Sequence, residues 1–398
     1  MFNQDRLFQQ HLSGIVNRDL LDIILALTAK VLGRPTFWSE LNLEASLRYH
    51  LYERDILNSE QPTGRLSLDD FRQACLLAFY EFHQHPGEKA WLRIGHLTRK
   101  AYHYGLHQID SRSPSPIFDS TGLDDIRCEE WRYVWWCIFC LDSYSNITAA
   151  IPFVVQIESI RTSLITGPSL DGTSKEEIFL VDETESLWKT TKAVTAHNHH
   201  INFNIHIVTT AMLREAATLY RLWLQNPSDR LQARLAAFEY HLTTVRLALP
   251  PRYLEVTRNV LHNEAHTAHH ARLICILHLH TAGLLICLPL HRKNSEEERL
   301  HLWYKALEYC QDMVLLVKQW DSQHSPGVDP AVCFIIYTAL IVLHLHINSI
   351  AVSEDMLAVL RMQKDVLLLF LEQFSTFWYL PRFLISKQTQ RLELHSEY

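Results

Sequence analysis

Turn-forming residues are scarce in this chain. It has 11 glycines and 14 prolines in 398 residues, too few to supply the tight turns of a many-stranded sheet. Long helices are the alternative. Basic runs are also missing: the largest clusters are single pairs such as Arg99-Lys100 and Arg292-Lys293, and the formal net charge is −7. A domain that grips a phosphate backbone by itself carries a basic footprint, so direct DNA binding by this chain is disfavoured. No Gly-x-Ser-x-Gly elbow, phosphate loop or dinucleotide fingerprint occurs, which leaves nucleophilic catalysis without local support and no cofactor to expect. Met1-Phe-Asn-Gln-Asp-Arg6 has no apolar signal core. The eight cysteines are scattered among Leu, Ile and Phe, as buried thiols of a reducing compartment are.

One stretch imitates a membrane span. Residues Ala331 to Val352 contain no Asp, Glu, Lys or Arg, which meets the length criterion. His344, His346 and Asn348 interrupt its second half, so it reads as a buried helix of an all-α core, with no membrane partner.

What the chain does have is tryptophan in concentrated form. Gly87-Glu-Lys-Ala-Trp91-Leu-Arg-Ile-Gly95 runs on to Tyr104-Gly105-Leu106-His107. Helical spacing puts Trp91, Ile94, Gly95, Thr98, Ala101 and Tyr102 on one face, with Gly105 as a left-handed stop. In Glu129-Glu-Trp131-Arg132-Tyr-Val-Trp135-Trp136-Cys-Ile-Phe-Cys-Leu-Asp142, a stripe joins Trp131, Val134, Trp135, Ile138, Leu141 and Asp142. Each buried indole contributes a few kcal/mol, at about 25 cal/mol per Å² and before entropy. Both segments are expected in the interior. Asp142 closes an apolar face and is expected to pair with an arginine such as Arg99 or Arg132, for register more than for net stability.

Helical period covers most of the remainder. Leu20 to Leu32 stops at Gly33 and Pro35, and Leu41 to Leu57 follows. Ser67-Leu-Asp-Asp70 caps a helix through Phe82 that ends at His85-Pro86-Gly87. Helices are expected at about 88–104 and 124–147, separated by the turn-rich 110–116. Others fall at about 199–225, 228–248, 261–290, 295–320, 329–348 and 353–379, the fourth opening on Ser295 with Glu296, Glu297 and Glu298 in its first turn. The pattern weakens after Pro152, and Gly167-Pro-Ser-Leu-Asp-Gly-Thr-Ser174 is the most loop-like stretch. The fold is therefore an all-α, large multi-helix array that can divide into two helical subdomains: an N-terminal part at 1–165, a loop-rich connection at 166–198 and a C-terminal part at 199–398.

These residues resemble the fungal-specific transcription factor domain, the middle homology region of fungal zinc-cluster regulators. The resemblance is carried by Gln73 with Leu76 and Leu77; by Ala90-Trp91, Gly95, Arg99 and Gly105-Leu106-His107; and by Arg132, Trp135-Trp136 and Leu141-Asp142. Residues 277–292, 306–310 and 331–345 are similar in character to its later helices. The family usually has two or three consecutive basic residues before Trp-Trp, and Gly-Arg-Pro further on. Here one arginine stands before the indoles, and Ala150-Ile-Pro152 replaces Gly-Arg-Pro. The six closely spaced cysteines of the binuclear zinc cluster have no counterpart in this sequence, where Cys137-x-x-Cys140 is the one such pair. The resemblance implies a transcription regulator's regulatory module, acting in the nucleus through protein partners or a homodimer. A small-molecule effector is compatible with it, though no residue identifies a pocket.

Histidine, at 24 residues, supplies the other candidates. His262, His266, His269 and His270 would lie on neighbouring turns of one helix and could face a metal. The spacing is not the His-Glu-x-x-His of metalloproteases, and a polar helix face is the simpler reading, so no metal is expected. The alternative function is a helical metal-dependent enzyme using this cluster. His278/His280 and His344/His346 point to different faces, and His197, His199 and His200 read as solvated. Cys137 and Cys140, among apolar neighbours, read as structural.

Overall fold

A computed structural model describes residues 4–32, 40–54, 66–111, 124–167, 177–197, 200–289, 295–349 and 353–396. Among them there is no strand, and the chain is all-α. The expected stops at Gly33 and Pro35, the turn beyond Ser111, the end of the second helix past residue 54, most of the 167–174 loop, His199 and residues 290–294 lie outside the described residues. The chain forms two compact units, one of residues 1–146 and 153–180, the other of 147–152 and 181–398.

The first unit holds α1 (Gln4–Leu12), α2 (Arg18–Leu32), α3 (Glu40–Tyr52), α4 (Leu68–Gln84), α5 (Glu88–Tyr104) and most of α6 (Asp125–Ala149). α4 starts where sequence places it: Ser67 accepts the Asp70 N–H while the Asp70 carboxylate accepts the Ser67 N–H, a complete capping box. α5 ends on Gly105 at φ 80°, ψ 20°, the left-handed conformation that a Cβ disfavours. Arg93 of α5 ties α3 to α4, donating to Glu81 Oε2 at 2.6 Å and to the Leu51 carbonyl at 2.9 Å. α6 is buried nearly all round, with Val134, Trp135, Trp136, Ile138 and Phe139 fully enclosed, which marks a central helix rather than a surface one.

The second unit holds α7 (Leu187–His197), α8 (Ile201–Gln225), α9 (Asp229–Ala248), α10 (His266–Cys287), α11 (Glu296–Lys318), α12 (Val332–Ile347), α13 (Glu354–Ser375) and α14 (Tyr379–Ser396). α7 lies where a loop-rich connection was expected. Its Thr190 and Thr191 are buried beside Leu187 and Val194, so polar residues occupy its inner face and blur the apolar period. α10 is the axis, packed by α8, α9, α11 and α12. It is the one described helix long and apolar enough to cross a membrane, and 83% of that apolar window is buried inside the protein. The apolar stretch at 331–352, expected as a buried core helix, forms the shorter α12, whose Ile336, Ala339, Leu340 and Leu343 enter a core with Leu360, Leu367 and Phe374 of α13. Ser295 and Glu298 form a second complete capping box, at α11.

Candidate functional site

In the first unit the tryptophan helices α5 and α6 hold a strap, the segment 153–167, non-helical apart from a 3₁₀ turn at Ile157–Ser159. Asp142, fully buried, holds its start. One carboxylate oxygen accepts the Val154 N–H at 3.2 Å and the Asn146 side-chain amide at 2.7 Å; the other accepts the Val155 N–H at 3.0 Å. Asn146 in turn accepts the Trp91 indole N–H at 2.9 Å. A single chain of hydrogen bonds thus runs from α5 through α6 to the strap. The expected ion pair of Asp142 with Arg99 or Arg132 does not form. Arg132 closes on Asp110 through two parallel hydrogen bonds, the fork geometry that guanidinium and carboxylate share, and backbone N–H groups take its place at Asp142.

Asp110 also accepts the Ser163 N–H at 2.8 Å, and Glu129 accepts both the N–H and the hydroxyl of Thr166. The Trp136 indole donates to the Ser163 carbonyl at 2.8 Å. Tyr102 receives the Gln156 N–H at 2.9 Å, and Thr162 bridges Leu106 and Ile109. The Gly105-Leu106-His107 turn therefore serves as a docking edge for the strap. Burial pushes the His107 imidazole below its ordinary pKa; its ring lies 4.6 Å from Tyr102 and 6.1 Å from Trp135.

Of the motif residues, Trp135, Trp136, Gly95 and Asp142 are buried. Trp91 is not: it is 36% exposed at the first turn of α5, where its N–H reaches Asn146 while the outer ring edge stays open. A Cβ added at Gly95 would press on Arg99 Nη1 at 3.3 Å, a tight contact but with the flexible end of a long side chain that can give way. Glu130, in a position where the family favours basic residues, is matched from outside α6 by Arg6 at 3.1 Å and Arg72 at 3.0 Å. Sequence reasoning missed Asp110, Asn146 and the strap. The run Thr162-Ser163 and Thr166, polar yet flanked by Ile and Leu, was the available signal.

The second unit disperses the four candidate histidines. His262 ends a short 3₁₀ turn, and Asn263 at φ 52° breaks the chain direction before α10 begins at His266. His269 bonds the Val256 carbonyl at 3.0 Å. His270 donates to the His266 carbonyl at 2.7 Å and accepts the Asp321 N–H at 3.1 Å. Glu264 is claimed by the buried Arg272 at 2.7 and 3.0 Å. Partial burial raises the Glu264 carboxyl, but Arg272 and the Asn259 N–H outweigh this and hold it below the usual range. All eight cysteines are unbridged, and Cys137 and Cys140 lie half-buried within α6. His197 and His200 are exposed.

The polar groups of the tryptophan helices grip the domain's own backbone, the arrangement of an all-α scaffold domain. The chain belongs to the fungal specific transcription factor domain family: the family's model matches residues 9–221, just over half of the chain. No curated protein and no solved structure matches it. The match runs from α1 through most of α8, so the later similarities at 277–292, 306–310 and 331–345 lie beyond it.

Proposed function

We propose that this chain is the regulatory, protein-contacting module of a fungal transcription regulator, acting in the nucleus through a partner chain or a second copy of itself, and not a bond-making enzyme. The observation that carries this reading is the use to which the family's motif residues are put. Trp136 and Asp142 hold the strap of residues 153–167 directly, Arg132 through Asp110, and Trp91 through Asn146 and Asp142, in a domain of a transcription factor family. Groups committed in this way fix a surface; they do not present a nucleophile or a base. A net charge of −7 argues that DNA recognition comes from elsewhere. The metal-enzyme alternative loses support because His269 and His270 are occupied by backbone groups.

The test joins the full chain to an unrelated DNA-binding domain in a fungal reporter strain, with gel-shift assays of the purified chain at physiological salt. Transcription that changes with the fusion, and that is lost on Asp142→Ala, is the expected result. Sequence-selective DNA retention by the chain alone, or a fusion with no effect on the reporter, would overturn the proposal.

A further inference from the structure

We propose that the second unit carries a transition-metal site, suited to zinc, formed by His266, Asp321 and His324. It draws on one of the four histidines singled out by spacing and on two residues that spacing could not connect to it. His266 opens α10, whereas Asp321 and His324 belong to the turn that leads into and through the 3₁₀ segment Ser322–Gly327. The two imidazoles stack with centroids 5.0 Å apart and planes 21° from parallel. His266 Nδ1 lies 4.0 Å, and His324 Nε2 3.9 Å, from the same Asp321 oxygen, Oδ2. The three donor atoms fall within 4.8 Å of one another. Tetrahedral zinc with bonds of about 2.0–2.1 Å needs donor separations of roughly 3.3–3.5 Å, so each imidazole must approach Asp321 by about half an ångström and the two imidazole nitrogens each other by at most about 1.4 Å, within the reach of side-chain rotation.

The surroundings suit that task. Oδ1 of Asp321 accepts the Gln323 N–H at 3.0 Å, which orients the carboxylate and leaves Oδ2 toward the rings. His270, by accepting the Asp321 N–H, fixes the backbone behind it, and Trp320 packs on His270 edge-on at 5.0 Å. Supporting contacts of this kind decide metal affinity nearly as much as the ligands do. Side-chain exposures of 49% for His266, 39% for Asp321 and 32% for His324 give the ion a way in and leave a fourth position for water. Two imidazoles and one carboxylate favour zinc and its neighbours over calcium or magnesium. A bound ion would fasten the 322–327 turn to the start of α10. The site lies outside the residues matched to the family, and the proposal is independent of the regulatory reading.

The experiment titrates the metal-free full chain with zinc, and separately with cobalt(II) as a spectroscopic reporter. One ion per chain is expected, with a cobalt spectrum of low-coordinate nitrogen and oxygen ligation. His266→Gln and His324→Gln should each weaken binding at least about tenfold, and His262→Gln should leave it unchanged. Zinc should also slow amide exchange in residues 320–328 of the unaltered chain. Absence of stoichiometric uptake at micromolar zinc would overturn the site, as would uptake that His266→Gln and His324→Gln leave as tight as before.

Discussion

The two units bury ionisable groups in different proportions. In the first, the interior polar groups are carboxylates matched to arginines or backbone N–H groups: Arg132 with Asp110, Arg72 with Glu130, Arg93 with Glu81, and Asp142 with the strap. In the second, the buried ionisable groups are chiefly imidazoles, His269, His270, His278 and His346, beside an Arg272 held by Glu264. His278 is fully buried beside His206 at 4.9 Å and shares a hydrogen bond with Thr209, and His346 is buried and stacked 3.7 Å from Trp303. Both solutions satisfy most of the hydrogen-bonding groups, yet they respond to acid differently. A paired carboxylate keeps its charge until the pH falls to its own low pKa. An enclosed imidazole must stay neutral while its unfolded counterpart takes up a proton.

The largest expected effect follows from that contrast. Burial, with the neighbouring His206, drives His278 well below its ordinary value, and burial pushes His346 down to about 4. A folded pKa below the unfolded one means that the unfolded chain binds more protons between the two values. Stability contributed by neutral His346 is therefore present above about pH 6.5 and is lost as pH falls toward 4. At about 1.4 kcal/mol per tenfold change, this amounts to about 3 kcal/mol from His346 alone. In the first unit the same loss on acidification falls in a lower window: Glu44, hydrogen-bonded to His85, is lowered to about 2, so its contribution stays intact above about 4.5 and fades only below. Pulsed hydrogen exchange across pH 7 to 4 should show α10 and α12 opening before α4 to α6. Simultaneous opening, or opening of α4 to α6 first, would abolish the contrast.

Asp142→Ala tests the first unit's side of the comparison. It removes the acceptor of two strap N–H groups and of the Asn146 amide in a fully buried setting. Donors left unsatisfied cost about 1–3 kcal/mol each, partly relieved by water. A loss near 3 kcal/mol is expected in urea unfolding, with exchange protection falling first in residues 153–166. Asp142→Asn, which keeps one good acceptor, should lose less. Equal losses for the two variants would mean that the carboxylate does not organise the strap.

How much of this was legible in the sequence depends on how local each cause is. The capping boxes at Ser67 and Ser295, the α5 limits at 88 and 104 and the left-handed Gly105 all follow from residues within four positions of one another. The enclosure of Trp135 followed from apolar period, whereas Trp136 lies off that stripe and is enclosed all the same, and Trp131, on it, is only partly buried. The strap did not, because its bonds join residues far apart in sequence: Asp110 to Ser163, Glu129 to Thr166 and Trp136 to Ser163. Periodicity cannot say which arginine a buried carboxylate meets, which is why Asp142 was expected beside Arg132. Nor could it foresee that Asn263 would turn the chain, parting His262 from the helix that carries His266, His269 and His270.

Two glycines sharpen the comparison at a smaller scale. Both are buried within helices, Gly95 in α5 and Gly283 in α10. A Cβ on Gly283 would collide with the Tyr309 ring, whereas one on Gly95 touches only the end of Arg99. Gly283→Ala should therefore destabilise by about 2 kcal/mol through overpacking between α10 and α11, and Tyr309→Leu should recover much of it. Gly95→Ala should be neutral or stabilising by about 0.5 kcal/mol, from helix propensity. Matching thermal shifts for the two alanine variants would show that the motif glycine is as tightly packed as the unmatched one.

Trp91→Phe probes the outer end of the hydrogen-bond chain, where the smallest effect is expected. Phenylalanine keeps most of the ring's contact with α6 but cannot donate to Asn146, whose side chain would lose the donor now 2.9 Å away. Because Trp91 is 36% exposed, water can replace that donor, and the net cost should be about 1 kcal/mol. Asn146→Ala should cost more, since it also removes a donor to the Asp142 carboxylate and carbonyl. In a double-mutant cycle the two changes should couple, because Trp91 acts on the strap only through Asn146. Additive losses would mean that Trp91 stabilises α5 by packing alone and that the chain of bonds to Asp142 begins at Asn146.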